Sequence, residues 1–205
     1  MNGIDLSKKR CHWCGLKNPL YVAYHDEEWG VPCHDERKLY EYFILETFQA
    51  GLSWECILNK RENFRRAYDG FDLDKVCAYD EAKLEELMRN PGIIRNRAKL
   101  RASIENSRIY RMITAEFGGF DAYLRRFAGD QVIREPDINI TTSPLSDALS
   151  ADLKQRGMRF VGSTTIYAFL QAVGVINAHA EECFRFQKTV HRIHRKNNDI
   201  RPPLR

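Results

Sequence analysis

The 205-residue chain is 43% hydrophobic and 29% charged with a net charge of +4, enough to bury one core with room for a small appendage. No apolar run approaches the ~20 residues that span a bilayer, and residues 1–10 lack the apolar segment of a secretory signal. A membrane partner is therefore excluded and a cytoplasmic protein expected, its six cysteines serving as thiols or metal ligands rather than disulfides. Beyond Gln187 six Lys and Arg face one Asp, so the tail carries +5 and the rest about −1; any nucleic-acid surface must be a local patch on a nearly neutral body.

In chain order, residues 1–10 form a polar arm expected to be flexible, 11–186 a single catalytic unit, and 187–205 a basic tail read as a solubilising end or a DNA-contacting arm. Cys11-His12-Trp13-Cys14 contains a Cys-x-x-Cys spacing that invites a zinc reading. From Glu36 to Gln49, Leu39, Tyr42, Phe43, Leu45 and Phe48 recur at three- and four-residue spacings, which predicts an amphipathic helix. Glu46 falls on or beside its buried face, where a carboxylate costs energy unless paired or used; it is a site candidate, with a partnered structural Glu as the alternative. Gly51 breaks this helix, and Leu52-Ser53-Trp54 leads into a second, reaching about Tyr68. An apolar residue on such a turn can wedge between bases or simply pack one helix on another; Leu52 is the candidate wedge.

A short helix over 80–88 stops at Asn90-Pro91-Gly92, and helical periodicity resumes over 95–112 through Ala98, Leu100, Ile104 and Tyr110. Helix, Pro-Gly hairpin, helix is a helix-hairpin-helix pattern, whose hairpin (Gly92, Ile93) and following helix start can offer free N–H groups to a phosphate. Arg95, Arg97, Lys99 and Arg101 crowd that start, as a solvated face or as a phosphate-positioning patch. Further helices are expected over 121–127, from Ser143-Pro144 to Gly157, and over 166–173, with a compact helical turn at 177–183. No sheet is expected, so the fold class is all-α. His179 and Cys183, four apart, would share a helix face and one metal ion.

Pro-Leu-Tyr-x-Ala-Tyr-His-Asp-x-Glu-Trp-Gly from Pro19, Gln-Ala-Gly-Leu-Ser-Trp from Gln49, Gly-Ile-Ile-Arg-x-Arg-x-Lys from Gly92, Phe-Val-Gly-x-Thr from Phe160 and Gln-Ala-x-Gly-x-x-Asn-x-His from Gln171 occur in that order. Together, from about Arg10 to Cys183, they resemble the DNA-3-methyladenine glycosylase I family of bacterial base-excision repair, within the helix-hairpin-helix superfamily. The resemblance implies a helical glycosylase bundle with a structural Zn2+ site joining the N- and C-terminal regions through Cys11, His25, His179 and Cys183. Cys14 leaves the register of the first ligand open, and a separate knuckle of Cys11, Cys14, Cys33 and His34 is the competing arrangement. It further implies Glu46 as pocket carboxylate and Trp13, Tyr24 and Trp54 as aromatic walls with Tyr21 and Trp29 nearby, suited to a cationic methylated base. The expected partner is double-stranded alkylated DNA, with free 3-methyladenine as product and a monomer as the working form. Bifunctional relatives place a nucleophilic lysine just after the hairpin, where this chain has Arg95-Asn96-Arg97 with Lys99 out of register, so a monofunctional enzyme is expected. The competing functions are a zinc-stabilised DNA-binding module without chemistry and a glycosylase for other alkylated purines.

Overall fold

The computed structural model describes residues 4–137 and 139–186, so the basic tail lies outside the described residues. The elements are α1 (Pro19–Glu27), α2 (Glu36–Gln49), α3 (Trp54–Ala67), α4 (Leu73–Cys77), α5 (Glu81–Arg89), α6 (Arg97–Phe117), α7 (Phe120–Ala128), β1 (Ile133–Arg134), α8 (Pro144–Gln155), α9 (Ser163–Ala172) and β2 (Ile176–Asn177). The protein is mostly helical, and its chain forms two compact units. Unit 1 takes the described residues of 1–32, 132–140 and 171 onward; unit 2 takes 33–131 and 141–170.

In unit 2 the helix starts are written in short polar side chains. Asp35 accepts the N–H groups of Arg37 and Lys38 ahead of α2, Ser53 that of Cys56 ahead of α3, Asp80 that of Lys83 ahead of α5, and Asn96 that of Lys99 ahead of α6. Each satisfies a backbone donor that the helix itself cannot, worth about 1 kcal/mol. Ser143 and Ser146 close a reciprocal capping box on α8. Gly119 has no side chain with which to cap α7, and the carboxylate of Glu36, on α2, takes the Phe120 and Asp121 N–H groups instead, at 2.8 and 3.0 Å. The central helix is α2: every residue from Leu39 to Phe48 is buried. Phe43 meets Tyr110, Phe120 and Phe169, and Tyr110 stacks on Phe120 with centroids 4.0 Å apart. Each such buried ring contributes roughly 1.5–3 kcal/mol. An amphipathic α2 was expected; its would-be polar face is buried because Glu41 is paired with Arg61 and, at 2.8 Å, with Arg65 on α3.

Unit 1 departs furthest from expectation. Residues 177–183 are not a helical turn: Ile133 and Arg134 pair in parallel with Ile176 and Asn177, and Asn177 Oδ1 then takes the His179 N–H at 3.1 Å. This two-residue ladder corrects the expectation of no sheet. α1 was not expected either; Asn18 caps it through the Leu20 N–H and Pro19 occupies its first turn. Arg10 does not belong to a loose arm, since its side chain is 4% exposed and grips Asp26.

Gly174 lets the chain leave α9 toward β2. Its φ is 71°, and a Cβ there would lie 2.3 Å from the Val31 carbonyl carbon and 2.4 Å from Pro32 N. Backbone cannot yield as a flexible side chain does. Gly174→Ala is therefore expected to destabilise the protein by more than about 2 kcal/mol, read as a lower urea midpoint, whereas Gly15→Ala, with open space around it, should leave the midpoint in place.

Candidate functional site

Within unit 1, four donors converge. Cys11 lies in the turn before α1, His25 is on α1, and His179 and Cys183 follow β2; all four are buried, and their ligand atoms lie within 4.8 Å of one another. The Sγ of Cys11 is 3.5 Å from His179 Nδ1, and that of Cys183 is 3.5 Å from both His25 Nε2 and His179 Nδ1. An ion with bonds of ~2.3 Å to sulfur and ~2.0 Å to nitrogen has tetrahedral S···N edges of roughly 3.5 Å, which these three separations match.

The atoms behind the donors fit the same reading. His25 directs Nδ1 at Asp26 Oδ1, 2.9 Å away, and Arg10 holds that carboxylate by two bonds of 2.8 and 2.7 Å. His179 gives its Nε2–H to the Trp29 carbonyl at 3.0 Å. Each imidazole thus has one nitrogen committed to a protein acceptor and turns the other into the cluster, where His25 Nε2 also meets the Cys11 N–H at 3.3 Å. The Ala180 N–H points at Cys11 Sγ and that of Arg185 at Cys183 Sγ. Hydrogen bonds, from Cys11 first and then from the two imidazoles, hold the Cys183 thiol well below the usual thiol range, while its bond to Cys183 and burial push Cys11 up. Cys14 is buried but outside the cluster, its thiol raised to about 11 chiefly by burial. His34 faces Asp121 in unit 2 at 3.1 Å. Among the described residues it is Cys11, and not Cys14, that joins the cluster, and the alternative knuckle is not assembled.

The aromatic side chains of the same unit pack on these imidazoles. Trp13 lies 5.2 Å from His25, 4.7 Å from Trp29 and 5.3 Å from Tyr21, centroid to centroid, and Trp29 lies 4.6 Å from His179. Tyr24 and Trp29 are buried, and Trp13 and Tyr21 half-buried.

In unit 2, Glu46 on α2 is 2% exposed, and its Oε2 has no hydrogen-bond partner among the described residues. Burial alone pushes its carboxyl well above the ordinary value. Glu41, five residues earlier on the same helix, is buried with two arginine partners; Glu46 is buried with none. Past the end of α2, Gly51 turns the chain at φ 78° and leaves Leu52 39% exposed, and Trp54, 8% exposed, opens α3.

The hairpin of residues 90–96 joins α5 to α6. Gly92 gives its N–H to Asn90 Oδ1 at 2.8 Å and its carbonyl accepts from Asn63; Ile93 is buried and Arg95 exposed. Arg97 reaches Glu85 and Glu81 at the surface. Lys99 is 8% exposed, with its ammonium on the carbonyls of Phe48, at 2.8 Å, and Ala50. Its ammonium is turned inward onto these two carbonyls.

A sequence profile described as methyladenine glycosylase matches residues 13–186. The chain belongs to the methyladenine glycosylase family. The DNA-3-methyladenine glycosylase 1 of Escherichia coli K12 is 44% identical over 179 residues, covering 85% of this chain and 95% of that protein. The Haemophilus influenzae DNA-3-methyladenine glycosylase is 39% identical over 178 residues, with 85% and 96% covered. A crystal structure of a 3-methyladenine DNA glycosylase I superposes with a TM-score of 0.82 at 43% identity, covering 86% of this chain and 98% of that one. The Staphylococcus aureus glycosylase I superposes at 0.79 with 34% identity, covering 82% and 92%.

For this methyladenine glycosylase family member, sequence reasoning missed Arg10 and Asp26 as partners of the Cys–His cluster. The adjacency Arg10-Cys11 and His25-Asp26 was the available signal, since a carboxylate beside a ligand histidine is a common way to orient it.

Two predictions follow from this geometry. Ligands 168 residues apart close a long loop, an effect of up to about 5 kcal/mol by analogy with a disulfide. Chelator treatment should therefore lower the melting temperature and re-addition of Zn2+ restore it, while Cys183→Ser should release the metal in a titration with a colorimetric chelator. Separately, the folded protein holds a proton on Glu46 that the unfolded chain releases above its ordinary value of 4.5. Stability from this group is fully present below that value and is lost as pH rises toward the raised folded value. Glu46→Gln should consequently match wild type at about pH 4 and melt higher as pH rises, by about 2–4 °C per kcal/mol, in paired thermal scans.

Proposed function

We propose that this chain is a DNA repair N-glycosylase that excises 3-methyladenine from alkylated double-stranded DNA, hydrolysing the N-glycosidic bond to free the base and leave an abasic site. Its relatives from E. coli and H. influenzae are DNA-3-methyladenine glycosylases, and the S. aureus structure is described as giving the basis of 3-methyladenine recognition. The observation that carries the reading to this chain's own atoms is Glu46, a buried carboxylate with an oxygen lacking a protein partner.

A methylated adenine still attached to its sugar is cationic and leaves readily, so the protein has to expose it and stabilise its departure rather than supply strong acid catalysis. Flipping takes the nucleotide out of the stack, with Leu52 on its exposed turn filling the gap. Glu46, protonated when buried alone, gains a cationic partner with the base; ionised, it accepts hydrogen bonds from the adenine edge and complements its charge. Trp54, and Trp13, Tyr21, Tyr24 and Trp29, take the aromatic roles the family resemblance implies, where each face attracts a cation by roughly 0.5–2 kcal/mol. Gly92 and Ile93, whose N–H groups go to Asn90 Oδ1 and the Asn90 carbonyl, shape the turn; Arg95 and Arg97, which it presents, are assigned to phosphate positioning at the hairpin. Lys99 is not: its amine is committed to the α2 carbonyls. That commitment also supports a monofunctional enzyme, because the first lysine after the hairpin in sequence has its amine held by two carbonyls.

Zn2+ is assigned to Cys11, His25, His179 and Cys183, where it supplies structural cross-linking of unit 1. We assign residues 11–186 to one catalytic domain, working as a monomer in the cytoplasm.

The test is release of free base from alkylated duplex DNA. Wild type is expected to release 3-methyladenine selectively, and folded, metal-loaded Glu46→Gln and Trp54→Ala to fall by roughly 100-fold or more. Folded, metal-loaded wild type that binds DNA but releases no base would remove the enzymatic reading in favour of a binding module.

A further inference from the structure

Lys99 stands three residues beyond the cap of α6, between Arg97 and Arg101, and it behaves unlike either. The two arginines reach outward to Glu81 and Glu85 with side chains 47% and 49% exposed. Lys99 turns inward. Its Nζ donates to the Phe48 carbonyl at 2.8 Å and to that of Ala50, and lies 5.8 Å from the centre of the Phe160 ring. Burial lowers its pKa, so the ammonium is held against a desolvation cost that water or a glycine turn would not have incurred in closing the same helix.

The carbonyls it takes are those left over at the end of α2, where the helix dipole is negative and a cation is favoured. They bracket the start of the turn that carries Leu52. Gly51 stands in left-handed backbone immediately after Ala50, the Leu52 N–H returns to Gln49 O at 2.6 Å, and Ser53 caps α3. Glu46 is one helical turn before Ala50 on the same face. On the other side of the ammonium, Phe160 holds a left-handed φ of 57°, uncommon for a bulky residue, beside Arg159, whose backbone exchanges bonds of 2.8 and 2.9 Å with the buried Asn106. Lys99 therefore sits in a rigid seat and grips the one segment that a wedge must keep still.

We propose that Lys99 is a positioning residue: it fixes the Leu52 turn and the end of the Glu46 helix to α6, so that a duplex held at the hairpin meets the wedge in register. The inference rests on the glycosylase reading of Glu46 and Leu52 and adds to it a residue that acts without touching DNA. Its signature is selective. Recognition of the free base needs the pocket alone, whereas extrusion from a paired duplex needs the turn.

The experiment compares full-length, metal-loaded wild type, Lys99→Met and Lys99→Arg in three readouts: binding of free 3-methyladenine, single-turnover excision from a paired duplex, and excision of the same lesion in single-stranded DNA. A 2-aminopurine beside the lesion reports extrusion. Lys99→Met is expected to bind free base within about twofold of wild type and to lose roughly 10- to 100-fold in duplex excision, with a matching loss of extrusion signal and a much smaller loss on single strands. Lys99→Arg, whose guanidinium can reach the same carbonyls, should recover most of it. Equal losses on duplex and single strand, weakened free-base binding in proportion, or no loss at all would each overturn the proposal. If Lys99→Met does not fold, Lys99→Gln, which can donate to one carbonyl, is judged by the same duplex-to-single-strand ratio. Wild type that releases no methylated base would overturn the glycosylase reading itself, a result separate from any ratio among variants.

Discussion

Unit 1 depends on four donor atoms brought together from the two ends of its sequence. Little else in it could do this work: its helix α1 has nine residues and its ladder two per strand, well short of what holds itself together in water. Around the donors the ordering proceeds outward in layers, from Arg10 to Asp26 to His25, from the Trp29 carbonyl to His179, and then to the indole rings of Trp13 and Trp29 that rest on the imidazoles. An ion at the centre would thus set the rotamers of side chains that never bind it. The aromatic residues proposed to meet the base in unit 1 are among these.

Unit 2 is governed by how it treats buried charge. Glu41 is paired with arginines and Lys99 is held by carbonyls. Against that background Glu46 stands out, because the fold that supplies partners to every comparable group withholds one here. Burial that raises its pKa is tolerated at a cost to stability, a trade common where a site must be ready for a ligand it does not yet hold.

Most helices of unit 2 were legible because their caps and their three- and four-residue spacings are local properties; Asp35, Ser53, Asp80 and Ser143 announce their helices without help from the rest of the chain, whereas α4, five residues long, is too short to show a period. The end of α6 was not, since Met112 is exposed and interrupts the apolar stripe before the helix stops at Phe117. In unit 1 the ligand residues were legible by family resemblance while their backbone was not. His179 and Cys183 are four apart, a spacing that reads as a helix, yet they meet through a turn because Ile176 and Asn177 are taken by a ladder with residues more than forty positions earlier. Lys99 shows the same limit from the other side. A lysine in a basic run gives no local sign that it points inward; that depends on where the carbonyls of a helix fifty residues away come to lie.

The division of unit 1 between the beginning and the end of the chain also constrains its biosynthesis. Unit 2 lies wholly between residues 33 and 170, so every residue it needs has left the ribosome before His179 and Cys183 do. Until then Cys11 and His25 wait with half a coordination sphere. Loading of an ion at these four residues would consequently wait on the synthesis of residues 179–183, and a nascent chain stalled before Cys183 would hold Cys11 with no ion to protect its thiol.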